Sequence, residues 1–261
     1  MGEGKALLSA VHVKKKYSLG RKNSIYAVND VSLDIMKGET LALVGESGCG
    51  KSTLAKLMMR MIKADEGVIS FEGQDISGLS EKALMPYRKE MQMVFQDPAS
   101  SLDPRMKIRD IIAEPLEAWH VYDTRKKTDE RILELLDMVE LKEDCLERYP
   151  HQFSGGQKQR IGIARAIAAN PKLLICDESV SALDVCVQAQ ILNLLKRLKQ
   201  QLGLTCLFIS HDLSVVSFIA DRVCVMKNGS ICELAPARQL YSAPEHEYTA
   251  FLLSSIPDIP L

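Results

Sequence analysis

The sequence lacks any long hydrophobic run. No apolar stretch approaches the roughly 18 residues needed to cross a bilayer. A secretory signal is absent as well, because Lys14, Lys15 and Lys16 follow only a short apolar segment. Gly2 could in principle carry a myristoyl group, but Ala6 stands where that signal requires Ser or Thr. We therefore expect a cytoplasmic protein that reaches a membrane only through a partner.

Neither an excess of charge nor a paired-cysteine motif is present. The formal net charge is −1, so the chain as a whole does not attract nucleic acid or anionic lipid, and we expect no nucleic-acid partner. The seven cysteines form no CxxC pair, and several lie in apolar, strand-like runs. This pattern favours reduced, buried thiols over disulfides or a metal site.

Strand-like and helical segments alternate along most of the chain. Short strands are predicted at 6–13, 31–35, 40–45, 91–95, 172–178 and 205–210. Two hairpins are predicted, one turning near Glu72-Gly73 and one at Asn228-Gly229. Helical spacing occurs at 52–62 and at 187–202, where Gly203 provides the stop. Between 99 and 165 only helical periodicity occurs. The pattern predicts an α/β fold with a largely parallel sheet and an all-helical insertion.

A glycine-rich loop follows the strand that ends at Val44. Its sequence, GESGCGKST, fits G-x-x-x-x-G-K-[ST] and opens a helix, which disfavours a chance glycine-rich turn. The glycines let backbone N–H groups wrap phosphates, the lysine reaches the terminal phosphates, and the first hydroxyl can bind Mg²⁺. The expected nucleotide contacts come from Gly45, Ser47, Gly48, Cys49, Gly50, Lys51, Ser52 and Thr53.

Acidic residues follow an apolar strand in LLICDES, residues 173–179. Asp177 and Glu178 emerge at the carboxyl end of that strand, the edge at which α/β sheets bind ligands. Asp177 suits Mg²⁺, and Glu178 suits a general base that polarises the attacking water. His211 follows a third strand at the same edge, where we expect it to contact the γ-phosphate.

A second anion-binding pattern occurs in FSGGQKQR, residues 153–160. A hydroxyl, two glycines and an amide precede an apolar-periodic stretch, which is the chemistry of an anion site at a helix N-terminus. One nucleotide needs only one phosphate loop, so this second site requires its own explanation.

The P-loop, the SGGQ segment, the acidic strand and the later histidine, in that order, resemble the ATP-binding-cassette (ABC) ATPases from about residue 7 to 256. The resemblance implies a P-loop NTPase (RecA-like) core with an ABC antiparallel β subdomain and an inserted α-helical subdomain. The whole chain, 1–261, would be one nucleotide-binding domain. Its parts would be an ATP-binding core of 1–95 and 166–235, a helical subdomain of 96–165 with the signature, and a tail of 236–261.

In that family, two cassettes face each other head to tail around two ATP molecules. The resemblance implies that the signature contacts ATP held by a partner chain, through Ser154, Gly155, Gly156 and Gln157. Gln96 would sense Mg²⁺ and the γ-phosphate, and Asp184 would communicate across the dimer. Tyr17 is the expected adenine-stacking residue, with Tyr26 as an alternative and core packing open for both. The implied Mg²⁺ ligands are Ser52, Gln96 and Asp177.

Two further stretches, 95–108 and 244–257, resemble the ATPases of oligopeptide, dipeptide and nickel importers. This implies a second ABC ATPase subunit, either related or identical, two transmembrane permease subunits and an extracytoplasmic substrate-binding protein. The chain would then drive uptake of a solute at the cytoplasmic face of the cell membrane. Peptide is the first expectation for the cargo, and nickel or another metal chelate is the second.

Two other classes remain as alternatives. A non-transport cassette acting on DNA would need a long coiled coil, and one acting in translation usually has two cassettes in a chain; neither feature occurs here. A P-loop kinase that phosphorylates a small substrate would explain the P-loop and the acids but would leave SGGQ without a role.

Overall fold

The computed structural model describes residues 5–19 and 23–255. In chain order the elements are β1 (Ala6–Leu19), β2 (Asn23–Met36), β3 (Thr40–Val44), α1 (Lys51–Met58), β4 (Glu66–Phe71), β5 (Gln74–Asp75), α2 (Glu81–Glu90), β6 (Met91–Val94), α3 (Pro98–Ser101), α4 (Ile108–Ala118), α5 (Arg125–Met138), α6 (Gly155–Ile167), β7 (Leu173–Asp177), α7 (Val185–Leu202), β8 (Thr205–Ser210), α8 (Leu213–Ile219), β9 (Arg222–Lys227), β10 (Ser230–Pro236), α9 (Ala237–Ser242) and α10 (Glu247–Ser254). Two 3₁₀ turns lie at Glu143–Cys145 and Pro150–Gln152.

The chain divides into two compact units. The first comprises residues 1–87 and 205–261, and the second comprises residues 88–204. The second unit contains the predicted helical subdomain of 96–165, together with β6, β7 and α7. The assignment of 1–95 and 166–235 to an ATP-binding core, with a tail of 236–261, stays a prediction.

The first unit contains two sheets. One is an antiparallel sheet with the strand order β2-β1-β4-β5. In the other, strands follow the order β10-β9-β3-β8, and β3 pairs in parallel with both β8 and β9. Every residue of β3 and β8 is buried, as expected of parallel strands covered on both faces. The predicted α/β class and antiparallel subdomain are confirmed.

Both predicted hairpins of the first unit are present. Glu72 and Gly73 connect β4 to β5 with φ angles of 50° and 83°. Asn228 and Gly229 connect β9 to β10 with φ angles of 49° and 82°, the left-handed pair that a tight two-residue turn requires.

The second unit is mainly helical. From 98 to 167, residues that the structure describes throughout, the regular elements are helices and 3₁₀ turns without a strand. Helix α6 contacts α3, α4, α5 and α7, and it buries Ile161, Ile163, Ala164, Ala166 and Ile167. In the same unit β6 and β7 pair in parallel, with Val94 opposite Cys176.

The thiols are reduced, but one departs from the expected burial. Cys49, Cys145, Cys176, Cys206 and Cys224 are buried, and Cys232 is half-buried. Cys186 is exposed because it lies in the first turn of α7, ahead of the residues that this helix buries. Among the described residues, no helix has the length and apolarity that a bilayer crossing demands.

Gly203 provides a test of the end of α7. It ends the helix at a φ of 64°, and a Cβ there would meet nothing within 4 Å. We expect Gly203→Ala to lower the free energy of unfolding by about 1 kcal/mol, solely through the left-handed backbone. Urea unfolding followed by circular dichroism measures this change.

Gly162 is the matched control, because it lies inside α6 and a Cβ there would also meet nothing within 4 Å. Gly162→Ala should raise stability by about 0.5–1 kcal/mol. Equal effects of the two substitutions would contradict the backbone explanation.

Candidate functional site

The glycine-rich loop joins β3 to α1 and is held closely against its own unit. Gly45 and Gly50 have φ angles of 146° and 112°. A Cβ on Gly45 would lie 2.2 Å from the carbonyl oxygen of Met226, and one on Gly50 would lie 2.1 Å from that of Ala27. No side chain fits at either position, so only glycine permits this loop to pack as it does.

Lys51 turns back over the loop. Its ammonium group donates to the carbonyl oxygens of Gly45 at 2.8 Å and Glu46 at 2.9 Å. Ser47 and Gly48 are exposed, whereas Ser52 and Thr53, in the first turn of α1, are half-buried. The loop therefore presents backbone and hydroxyl groups beside a buried cation, the donor set that a polyphosphate requires.

Cys49 takes part in the loop through both its backbone and its thiol, since the Lys51 ammonium lies 3.9 Å from its sulfur. Burial raises the pKa of this thiol, and the nearby Lys51 opposes the rise only in part. The carbonyl oxygen of Cys49 accepts a hydrogen bond from the backbone N–H of Gly229 at 2.9 Å. The β9–β10 turn thus supports the loop, a role that its sequence did not reveal because the contact joins distant parts of the chain.

His211 lies at the same sheet edge as the glycine-rich loop. Val44 pairs with Ser210 in the parallel register of β3 and β8, so Gly45 and His211 both follow directly from paired strand ends. The histidine is exposed, and the next residue, Asp212, caps α8 by accepting from Ser214 N–H at 2.8 Å. His211 therefore follows the strand end next to the glycine-rich loop, and its contact with the γ-phosphate stays a prediction.

The two candidate tyrosines lie on opposite faces of the antiparallel sheet. Tyr17 pairs with Ile25, whereas Lys16 pairs with Tyr26. Because paired residues share a face and neighbours along a strand alternate, only one of the two rings can face a given base. Both rings are more than 40% exposed, so neither is a core residue.

The acidic residues of the second unit lie beside the predicted sensor glutamine. Asp177 is buried at the end of β7, and Glu178 follows it with a φ of 46°. The side-chain amide of Gln96 donates to a carboxylate oxygen of Glu178 at 2.7 Å.

Ser181 stabilises the uncommon backbone of Glu178, since its N–H and its hydroxyl donate to the Glu178 carbonyl at 3.1 Å and 2.9 Å. A non-glycine residue in this conformation costs about 1–3 kcal/mol, and such strain concentrates at functional sites.

The SGGQ segment forms the N-terminus of α6 through a capping box. The Ser154 hydroxyl oxygen accepts from Gln157 N–H at 3.3 Å, and the Gln157 side chain accepts from Ser154 N–H at 3.1 Å. Sequence reasoning did not identify this box, although S-x-x-Q is its pattern. The contact uses an acceptor site of the hydroxyl, so the O–H proton can point outward to an anion.

A second helix N-terminus packs beside the signature. Asp184 caps α7 by accepting from Val187 N–H at 3.0 Å. A Cβ on Gly156 would lie 2.5 Å from a methyl group of Val187, and one on Gly155 would lie 3.3 Å from Leu183. The signature glycines therefore allow the two helix starts to approach closely, and Ser154, Gly155 and Gln157 stay exposed.

Comparison with known proteins identifies a family and close relatives. A family model described as ABC transporter matches residues 28–181. The chain is 51% identical over 252 residues to the oligopeptide transport ATP-binding protein OppF of Bacillus subtilis (strain 168), covering 96% of this chain and 82% of that protein. It is 48% identical over 259 residues to the dipeptide transport ATP-binding protein DppF of Lactococcus lactis subsp. cremoris (strain MG1363), covering 98% and 83%.

Solved structures of similar fold are also found. The dimeric structure of a post-hydrolysis state of the ATP-binding cassette MJ0796, bound to ADP and Pi, aligns with a TM-score of 0.80 at 32% identity and covers 88% of this chain and 99% of that one. The structure of cbiO1 from Clostridium perfringens, described as part of the ABC transporter complex cbiONQ, aligns with a TM-score of 0.81 at 28% identity and covers 92% of each chain.

The close packing of Gly50 generates a prediction. We expect Gly50→Ala to abolish binding of a fluorescent ATP analogue, because the new methyl group displaces the loop from the Ala27 carbonyl. Gly48→Ala is the control, since Gly48 also has a positive φ but a Cβ there would meet nothing within 4 Å. The affinity of Gly48→Ala for the ATP analogue should fall less, by about tenfold, which corresponds to the cost of the left-handed backbone conformation alone. Equal losses would show that the contact with Ala27 is unimportant.

Proposed function

This chain belongs to the ABC transporter family, and we propose that it is the ATP-hydrolysing subunit of an importer for peptides. The observation that carries the proposal is the exposed SGGQ start of α6, an anion site additional to the glycine-rich loop. A chain that only bound or transferred one phosphate would have no use for it. Two facing copies of such a chain could each complete the nucleotide site of the other.

The glycine-rich loop binds the phosphates of ATP in this proposal. Its backbone N–H groups and the N-terminus of α1 surround the anion, and the Lys51 ammonium moves from the loop carbonyls to the terminal phosphates. Gly45 and Gly50 let the loop pack against the carbonyls of Met226 and Ala27, which holds its backbone in place for the phosphates. Tyr17 is our choice for the adenine contact.

Mg²⁺ fits the residues available. Ser52, Gln96 and Asp177 offer a hydroxyl, an amide oxygen and a carboxylate, all of them the hard oxygen donors that this ion prefers. Among the described residues, no group of three or more acidic, histidine or cysteine side chains could hold a metal alone. The ion would therefore depend on phosphate oxygens from the nucleotide, and it would neutralise charge that develops on them.

Glu178 is proposed as the general base. Its carboxylate accepts a proton from water as the water oxygen attacks the γ-phosphorus, and ADP leaves as the bond to the β–γ bridging oxygen breaks. Gln96, already hydrogen-bonded to this carboxylate, fixes its direction. His211, at the edge where β8 ends, contacts the γ-phosphate.

The signature completes the site in trans. Ser154 and the first N–H groups of α6 donate to the γ-phosphate of ATP bound on the partner subunit, while Asp184 lies at the dimer contact. Binding of ATP then closes the dimer, and loss of the γ-phosphate releases it. The solved structure of the cassette MJ0796 is a dimer bound to ADP and Pi, which supports the pairing of two cassettes.

The remaining partners follow from the relatives. Similar proteins are named as oligopeptide and dipeptide transport ATP-binding proteins, and cbiO1 is described as part of an ABC transporter complex. We therefore propose two permease subunits that hold this chain at the cytoplasmic face of the membrane, and a substrate-binding protein outside. The high identity to oligopeptide and dipeptide transport proteins favours peptides over nickel as cargo.

Glu178→Gln tests the catalytic assignment. The isosteric amide cannot accept the proton, so we expect ATP binding to persist while hydrolysis falls by more than about 100-fold, the scale of a lost general base. ATP-dependent dimers should then accumulate in size-exclusion chromatography with light scattering. Cells with this variant as the sole copy should lose uptake of labelled peptides but keep nickel uptake. Rapid hydrolysis by the variant would place the base elsewhere.

Ser154→Arg tests whether the signature acts on the nucleotide that the partner subunit binds. A guanidinium at the signature blocks closure, so the variant should bind ATP normally as a monomer yet form no ATP-dependent dimer. Because the change also removes the helix cap, Ser154→Asp is the matched variant: it keeps the cap and repels the γ-phosphate. Both variants should fail to dimerise when combined with Glu178→Gln. Weaker ATP binding by the monomer would show that the signature serves its own nucleotide.

A further inference from the structure

The C-terminal helix α10 contacts the glycine-rich loop directly. Tyr248, in the first turn of α10, is only 4% exposed. Its hydroxyl oxygen accepts a hydrogen bond from the backbone N–H of Glu46, at a long distance of 3.4 Å. Glu46 is the second residue of the glycine-rich loop, so the tail adjoins the nucleotide-binding element.

The position of Tyr248 is fixed by a dedicated set of contacts. The buried carboxylate of Glu233, on β10, accepts from the N–H groups of Glu245 at 3.1 Å and His246 at 3.0 Å. His246 then caps α10, because its ring nitrogen Nδ1 accepts from Tyr248 N–H at 3.0 Å. Although burial acts to raise the pKa of Glu233, these backbone hydrogen bonds help to keep it below its ordinary value, so the carboxylate stays charged. These hydrogen bonds therefore fix the start of α10 to strand β10.

The tyrosine ring also contacts the end of β9. The ammonium group of Lys227 lies 4.3 Å from the centroid of the Tyr248 ring, within range of a cation–π interaction. Two residues later, Gly229 donates to the carbonyl of Cys49. The β9–β10 turn thus contacts the glycine-rich loop at Cys49, and Tyr248 contacts the same loop at Glu46.

The contacts continue from Tyr248 to the phosphate-binding lysine. The peptide group that joins Gly45 to Glu46 is planar; its N–H donates to the Tyr248 hydroxyl oxygen, and its carbonyl oxygen, that of Gly45, accepts from the Lys51 ammonium at 2.8 Å. A shift of this peptide would move the carbonyl that orients Lys51. We propose that Tyr248 is a positioning residue that sets the Gly45–Glu46 peptide group and, through it, Lys51 for binding ATP; this rests on the proposed function of the loop.

Tyr248→Ala and Tyr248→Phe separate the ring from the hydroxyl. We expect Tyr248→Ala to raise the Kd for a fluorescent ATP analogue by about 10-fold or more, since small misplacements at a binding site are costly. Tyr248→Phe keeps the ring and loses only the long hydrogen bond of the hydroxyl, so its Kd for the same analogue should rise by no more than about threefold. At saturating ATP, the kcat of the assembled transporter should stay within about twofold of wild type, because the groups at the reacting phosphorus are intact.

Phe251→Ala is the matched control. Phe251 is an aromatic residue one turn further along α10, it is 61% exposed, and its removal should leave the Kd unchanged. A loss equal to that of Tyr248→Ala would assign the effect to α10 in general and overturn the proposal. So would an unchanged Kd in a folded Tyr248→Ala protein, or a fall in kcat without a change in Kd.

Lys51→Ala, measured in the same titration, separates this inference from the function on which it rests. If Lys51→Ala loses nucleotide binding and Tyr248→Ala does not, the positioning role alone fails. If Lys51→Ala binds normally, the assignment of the glycine-rich loop itself is wrong.

Discussion

The close approach of two glycines to backbone carbonyls underlies the nucleotide site. Gly45 and Gly50 pack against the carbonyls of Met226 and Ala27 at distances that exclude any side chain. This contact fixes the loop to β9 and to β2, which come from opposite ends of the chain. Both the position of Lys51 and the start of α1 depend on it. A loop of mobile glycines would lose entropy on binding phosphate, whereas this loop is already ordered by its neighbours.

Local chemistry made several features predictable from sequence. The phosphate loop, the Asn228-Gly229 turn and the Gly203 stop each depend on residues next to one another, and each lies where the pattern indicates. Helix α2 was not predicted, because Pro86 lies within it and Leu84 is its single buried residue, so apolar periodicity is weak. The exposure of Cys186 was missed as well, since its apolar neighbours do not reveal which face of α7 is covered.

The missed functional contacts are those that join distant residues. Gly229 supports the carbonyl of Cys49, and Tyr248 adjoins Glu46, across separations of about 180 and 200 residues. Turn propensity accounts for the Asn228-Gly229 hairpin, but the tertiary partners of these two segments leave no local signal in the sequence. The capping box of Ser154 differs from these contacts, because its pattern, S-x-x-Q, lies within four consecutive residues of the sequence. Helix capping and anion binding by Ser154 are compatible, because the cap uses an acceptor site of the hydroxyl whereas an anion binds the hydroxyl proton.

The energy available from the proposed shared γ-phosphate is sufficient for a switch. To move a two-state equilibrium from 1:99 to 99:1, the binding free energy of the ligand must differ between the two states by about 5.5 kcal/mol. A hydrogen bond to a charged group contributes about 1.5–3 kcal/mol. With the Ser154 hydroxyl and one N–H of α6 acting at each of two sites, four such bonds would supply about 6–12 kcal/mol. ADP lacks the γ-phosphate and would supply none of it. Because this difference resides in the nucleotide and not in the cargo, the same cassette chemistry would serve any solute that the proposed permeases admit, and the choice of peptide would fall to the other proposed subunits.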